Sequence, residues 1–349
     1  MNPRIALGLV LCAIFSTGVN ATPPAEATIG TRQAAPTAQV RGILQAKDGD
    51  LWFATHGSGL YRFDGREFTA FTQSQGLPSD LVRTVQEDTQ GNLWVTTNDG
   101  LCVFDGKSFK RVSVPVDEEG PLPRPTAEML WFCGQGGVYY LDRGKLGYLP
   151  LPLDPADRDM VRDQPGVNPY AVYCVHAARD GTVWMGTESR GVCRYDGKGF
   201  TWFRDKDLGK PAVRAILMDS RGDVWFGNSG GGLYRLHDGK LSNFSVEKGV
   251  DNLSWLNGVF IRMPGKLADP QAIVEDKSGT IWIGAFDSGV WRLDGDTLTQ
   301  VMTAGVPARV SSILQDRDGK MWFGTVEGVC AWDGKKFTSL SQGASSQPK

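Results

Sequence analysis

The stretch "EDTQGNLWVTTNDG", Glu87 to Gly100, holds Asp88, Asp99, two glycines and Trp94. Acidic residues beside glycine suggest a cation-binding loop. A tryptophan between two turn signals suggests a short buried strand. The choice turns on whether the stretch is unique in the chain.

It is not unique. "AKDGDLWFATHGSGLYRFDGREF" carries Trp52, and "ARDGTVWMGTESRGVCRYDGKGF" carries Trp184. "MDSRGDVWFGNSGGGLYRLHDGKL", "EDKSGTIWIGAFDSGVWRLDGDTL" and "QDRDGKMWFGTVEGVCAWDGKKF" carry Trp225, Trp282 and Trp322. A degenerate copy, "AEMLWFCGQGGVYYLDRGKL", carries Trp131. Seven copies spaced by about 40 residues, with two longer gaps, are the signature of a propeller. Each unit parses into four strands: an apolar strand such as "VRTVQED", the tryptophan strand, a third such as "GLCVFD", and a fourth after the "DG" turn, whose glycine tolerates positive φ. The expectation is an all-β, seven-bladed β-propeller of four-stranded antiparallel blades over residues 40–340. The third-strand residues Tyr61, Tyr139, Tyr234 and Trp291 share one repeat position with Cys102, Cys193 and Cys330.

The pattern "eD..GnlWigT..Gl.ryd" resembles the two-component regulator propeller repeat, with six good copies and a poor third. The resemblance implies a propeller of the kind found in extracytoplasmic sensor regions of membrane histidine kinases. Here it covers one free-standing ring.

Composition agrees with a globular all-β chain: 44 glycines and 11 tryptophans supply turns and flat side chains. With 37 basic and 39 acidic residues and no basic run, nothing favours nucleic acid. Arg4 followed by "IALGLVLCAIF" and a "VNA" site predicts a signal peptide over 1–21, hence a periplasmic or secreted protein with no membrane span after cleavage. Leu11 before Cys12 argues against a lipid anchor. A linker is expected over 22–39 and a disordered tail over 341–349, with the option that "ATIGTRQA" adds a strand at the ring seam. Each copy is complete in chain order, so closure requires no strand exchange.

The recurring aspartates ("DTQG", "DSRG", "DKSG", "DRDG") read as turn caps, because they lack the alternating oxygen ligands of a calcium loop. No metal site or cofactor is expected. The five cysteines beyond the signal, Cys102, Cys133, Cys174, Cys193 and Cys330, are odd in number and read as buried free thiols. His176 and His237 fall in a strand and a turn, and no Ser/His/Asp constellation is recognisable.

Two residue sets could form a site. Eleven positions before the tryptophans, first strands place Arg41, Arg83, Tyr173, Arg214, Gln271 and Ser311 around the axis. Forked arginine donors there suit an anionic or hydroxyl-rich ligand. The second set lies on the loop face, where all the long insertions fall: His56, Asp99, Glu188, Arg190, Trp255, Phe260 and Arg262. Trp255 and Phe260 can stack on a ligand or pack over the groove between blades five and six.

The expectation is a non-enzymatic binding propeller serving signalling, with an oligosaccharide, peptidoglycan fragment or peptide-like ligand and a membrane histidine kinase or cyclase as receiver. One rival is an enzyme similar to virginiamycin B lyase, using His56 with Glu188 or Glu327. The other is a scaffold for an envelope assembly.

Overall fold

The computed structural model describes residues 30–114, 122–163, 168–204, 208–209 and 211–340. The expected signal peptide, the first part of the linker and the tail lie outside the described residues. Seven antiparallel sheets form a ring, each ordered in chain sequence, with first strands of neighbouring blades packed side by side. Blade one, for example, runs through Val40–Gln45, Leu51–Thr55, Leu60–Phe63 and Phe68–Phe71.

Two local departures from the expectation have physical causes. Thr31–Gln33, placed in the linker from sequence, pairs antiparallel with Phe68–Ala70. It satisfies the open outer edge of blade one and so makes a fifth strand there. Blade three has three strands among the described residues: Leu130–Cys133, Gly137–Asp142 and Lys145–Pro150. Among the described residues no inner strand forms where the sequence reads "LPRPT", Leu122 to Thr126. Prolines cannot donate to a ladder. The Gln86 side chain of blade two instead donates from Nε2 to the Trp131 carbonyl at 2.8 Å, partly covering the bare edge.

The core divides into seven apolar clusters, one at each blade-to-blade interface. Every repeat tryptophan lies in the cluster shared with the following blade, and Trp225 is fully buried. Removing such a side chain typically costs about 3–5 kcal/mol. Close approach of the blades needs small residues two places after the tryptophan. A Cβ on Gly227 would sit 2.6 Å from the Pro270 carbonyl of the next blade, and one on Gly324 would sit 2.6 Å from that of Val40 across the seam.

The aspartates cap their turns and also hold the tryptophans. Asp88 Oδ1 accepts the N–H groups of Gln90 and Asn92, while Oδ2 accepts the Trp94 indole N–H at 2.9 Å. Asp219, Asp276 and Asp316 repeat the indole bond to Trp225, Trp282 and Trp322 at 3.0, 2.8 and 2.8 Å. In blade four Ala178 replaces the aspartate. There Trp184 donates to Thr182 Oγ1, which in turn donates to Asp180. Ala46 stands at this position in blade one, and the buried Trp52 Nε1 has no hydrogen-bond partner among the described residues.

The seam between blades seven and one uses the same side-chain contacts as the interior interfaces. Ser312 donates to the Val40 carbonyl at 3.0 Å, as Cys174 does to that of Val213 at 3.4 Å. The Arg317 N–H donates to Gln45 Oε1 at 2.8 Å, matching Lys47 to Glu87, Ser220 to Glu275 and Lys277 to Gln315. No strand crosses the seam among the described residues.

The five cysteines among the described residues are all free. Cys102, Cys193 and Cys330 are buried opposite Val95, Met185 and Phe323, and burial pushes the thiols of Cys102 and Cys193 up to about 12.

Ala46→Asp should supply the missing indole partner in blade one and raise stability by about 1 kcal/mol, whereas Asp276→Ala should cost about 1–3 kcal/mol. Equilibrium denaturation of both variants checks this, and a destabilised Ala46→Asp would reject the cap. Burial pushes the Asp88 and Asp276 carboxyls up, but the indole, side-chain and backbone donors outweigh it and hold both below their ordinary value. Their contribution is therefore present above the unfolded carboxyl value of about 3.9 and is lost as pH falls through the lower folded values. Melting temperature measured from pH 6 down to pH 2 should fall less steeply in an Asp88→Asn/Asp276→Asn variant than in the unaltered protein.

Candidate functional site: the mouth of the axis

The first strands converge on the axis, and in six blades each carries a register shift at the same place. The shifts lie between Val40 and Gly42, Val82 and Thr84, Val172 and Cys174, Val213 and Ala215, Pro270 and Ala272, and Val310 and Ser312. The residues skipped are Arg41, Arg83, Tyr173, Arg214, Gln271 and Ser311. A bulge leaves its extra residue unpaired and re-aims the side chain. Here it turns six side chains away from the ladders.

Their electrostatics show how close they come. Burial, then the charges of Arg83 and Arg214, lower the Arg41 pKa. Burial and the neighbouring Glu188 carboxylate push the Tyr173 phenol up. The Arg214 guanidinium lies over the Tyr173 ring, 4.0 Å from its centroid. Arg83 Nε donates to Asn98 at 2.8 Å, and the Gln39 side chain donates to Ser311 Oγ at 2.8 Å.

The insertion between blades five and six roofs this mouth. Its 3-10 turn Leu253–Asn257 places Trp255 and Leu256 beside the axial residues. Trp255 Nε1 donates to the Ile261 carbonyl at 3.0 Å, and the Asn252 side chain donates to the same oxygen at 2.7 Å. Trp255 and Phe260 meet edge to face with centroids 5.3 Å apart. They border an open cavity of about 680 Å³ lined by Arg41, Arg214, Gln271, Glu188, Asp269 and Trp255 among others. Arg41 and Gln271 thus meet Glu188, Trp255 and Phe260 in one cavity, although sequence placed them in two sets.

Other expected residues fall elsewhere. Arg190 is turned away from the cavity. Its Nε donates to Asp157 Oδ2 at 2.8 Å and a second nitrogen pairs with Oδ1, while Tyr170 donates to the same carboxylate at 2.6 Å. The partner comes from an insertion that has no repeat register, so sequence could not foresee it. Asp99 and Arg262 are exposed and do not line the cavity. His56 is exposed near Arg41 and Arg83, and burial plus those two charges lower its pKa, which keeps it uncharged at neutral pH. Glu327 is exposed on blade seven, its N–H donating to Thr325. Among the described residues no group of three or more His, Cys, Asp or Glu side chains could hold a metal ion.

Sequence reasoning missed Asp269. Its Oδ1 accepts Ser229 Oγ at 2.7 Å and Gln271 Nε2 at 2.6 Å, and burial pushes its carboxyl up. The available signal was a polar residue immediately before the first strand, where Gln39, Asp269 and Arg309 stand in copies one, six and seven. Phe286, under the Arg309 guanidinium at 5.6 Å, was also missed.

Fold and cavity together define a seven-bladed propeller with a polar, aromatic-roofed axial mouth. Three of its segments, residues 35–57, 76–99 and 305–327, match the two component regulator propeller repeat. The chain is similar in fold to the extracellular domain of a hybrid two-component system of B. thetaiotaomicron, with 22% identity and a TM-score of 0.62 over 84% of this chain and 40% of that one. It is also similar to virginiamycin B lyase of Staphylococcus aureus, at 16% identity and a TM-score of 0.63 over 86% and 96% of the two chains. A third likeness is to PorZ, a surface component of the type-IX secretion system of Porphyromonas gingivalis, at 18% identity and a TM-score of 0.53 over 81% and 45%. The chain spans about 40% of the length of the two-component structures it resembles. A search of curated proteins finds no match. No helix among the described residues is long and apolar enough to cross a membrane.

The Arg190–Asp157 pair should prove structural. In a double-mutant cycle of Arg190→Ala and Asp157→Ala, the coupling in unfolding free energy should be about 1–3 kcal/mol. A coupling near zero would return Arg190 to the candidate site.

Proposed function

We propose that this chain is a non-enzymatic binding propeller, exported by its N-terminal signal segment, that captures a small ligand at the axial mouth and serves signalling. The observation that carries the reading is the single cavity in which bulge residues of the first strands meet the roofing insertion of blades five and six. Its size is in the range of small-molecule sites. Its lining mixes apolar faces with donors and acceptors, as an oligosaccharide or peptide-like ligand requires. The two-component repeat and the likeness to extracellular sensor propellers support a membrane histidine kinase or cyclase as the receiver. The lyase reading is supported by fold likeness alone.

A thermal-shift array of oligosaccharides, muropeptides and short peptides tests the reading. A true ligand near saturation should raise the melting temperature by about 5 °C. Trp255→Ala should abolish that shift while leaving the ligand-free melting temperature nearly unchanged. If every positive compound shifts the variant as much as the unaltered protein, the mouth is not the site.

A further inference from the structure

We infer that the ligand of the axial mouth is an acid, whose anionic group sits between Arg41 and Arg214 and whose flat apolar face lies against Trp255. The inference deepens the binding reading above and rests on it.

The argument begins with what the arginines lack. Three half-buried guanidiniums elsewhere have a carboxylate, Arg62 with Asp50, Arg190 with Asp157 and Arg235 with Asp223, whereas Arg194 and Arg309 have none among the described residues; at the axis Arg41 and Arg83 are exposed and Arg214 is half-buried. None of the three axial arginines has an ion pair among the described residues. Arg41 has no hydrogen-bond partner there either, and Arg214 Nε is buried without one. Arg83 has the neutral Asn98. Three like charges gathered in one place raise the free energy of the empty site, and an anion would relieve it.

The geometry leaves donors free. The Arg214 guanidinium carbon lies 4.0 Å from the Tyr173 ring centroid, and no hydrogen bond to another residue among those described occupies its N–H groups, which suit a forked bond to two oxygens. The carboxylates in the cavity make no ion pair with these arginines, although the Arg214 charge acts on Asp269 from a distance. Asp269 already accepts from Ser229 and Gln271, and burial favours its neutral form. Glu188 lies beside Tyr173, with Oε2 buried and unpartnered among the described residues. That oxygen provides an acceptor for a hydroxyl or amide N–H of the same ligand.

The apolar half comes from Trp255, Leu256 and Phe286. A cavity of about 680 Å³ accommodates roughly two or three sugar rings or amino-acid residues. Carboxylate, sulfate and phosphate esters share the required oxyanion, and experiment separates them.

Calorimetric titration of matched pairs tests the inference. The probes are digalacturonate against galactobiose, glycyl-tryptophan against glycyl-tryptophanamide, galactose 6-sulfate and galactose 6-phosphate against galactose, and inorganic sulfate alone. The charged member of at least one pair should bind about tenfold or more tighter than its neutral counterpart, and more weakly as salt rises. Arg41→Ala and Arg214→Ala should each erase that difference. Arg41→Ala should also leave the ligand-free melting temperature unchanged or higher, because it removes like-charge repulsion, whereas a merely structural arginine would lower it. Equal binding of charged and neutral members, still lost in Trp255→Ala, would overturn the acid and leave the site standing. Binding indifferent to Trp255, Arg41 and Arg214 alike would overturn both. Failure of every charged probe, sulfate included, to bind also counts against the acid.

Discussion

The ring depends on one carboxylate with two tasks. In blades two, five, six and seven the same aspartate closes the turn of its own blade and fixes the indole that fills the interface with the next. Local turn chemistry and blade packing are thereby one interaction. A four-stranded sheet this short cannot bury enough apolar surface alone, so its stability comes from its neighbours. Holding the indole in place before the neighbour arrives reduces the entropy lost on packing. Blade four keeps the function through a threonine relay. Among the described residues, blades one and three leave the indole N–H without a partner, and the third has no inner strand.

Close packing around the axis generates the site. Six first strands carry a bulge at one common position. The bulged residue makes no ladder pair, so the scaffold asks little of its side chain. Within this one chain the position reads Arg, Arg, Tyr, Arg, Gln and Ser, while the residue before it is Val or Pro. Constancy beside variation inside a repeat marks where structure ends and recognition can begin. "EDTQGNLWVTTNDG" shows the same division: Asp88 and Trp94 belong to the ring, and Asp99 stands exposed at its surface.

The repeat made most of the fold legible. Period, tryptophan and "DG" turn placed the blades, and counting back from each tryptophan found the axial residues. Each copy was read as complete, and the absence of an inner strand in blade three among the described residues was not foreseen. What stayed hidden lacked a register. A strand within "ATIGTRQA" was an open option, but Thr31–Gln33 is too short to show alternation, and the edge it joins, the outer strand of blade one, was not legible. Arg190 seemed free on its loop because Asp157, its partner, arrives from an insertion. Asp269 and Gln39 sit at loop-to-strand junctions, where periodicity fades and only the convergence of the strands gives them a common direction.

The insertion that roofs the cavity links the mouth to the outer surface. On one side it presents Trp255 and Leu256 to the cavity; on the other it exposes Val259 and Ile261, and Phe260, 70% exposed, stands at the rim between the two. Two donors hold these sides together, and both reach the same oxygen: the Trp255 indole and the Asn252 side chain each bind the Ile261 carbonyl. A ligand that displaces Trp255 must either break the indole bond or carry Ile261 with it. The blades below are tied by seven interface clusters and cannot follow. Displacement of Trp255 would therefore be confined to the loop and its exposed apolar tip. A rigid ring with one light, doubly tethered roof is suited to convert occupancy into a local change of surface.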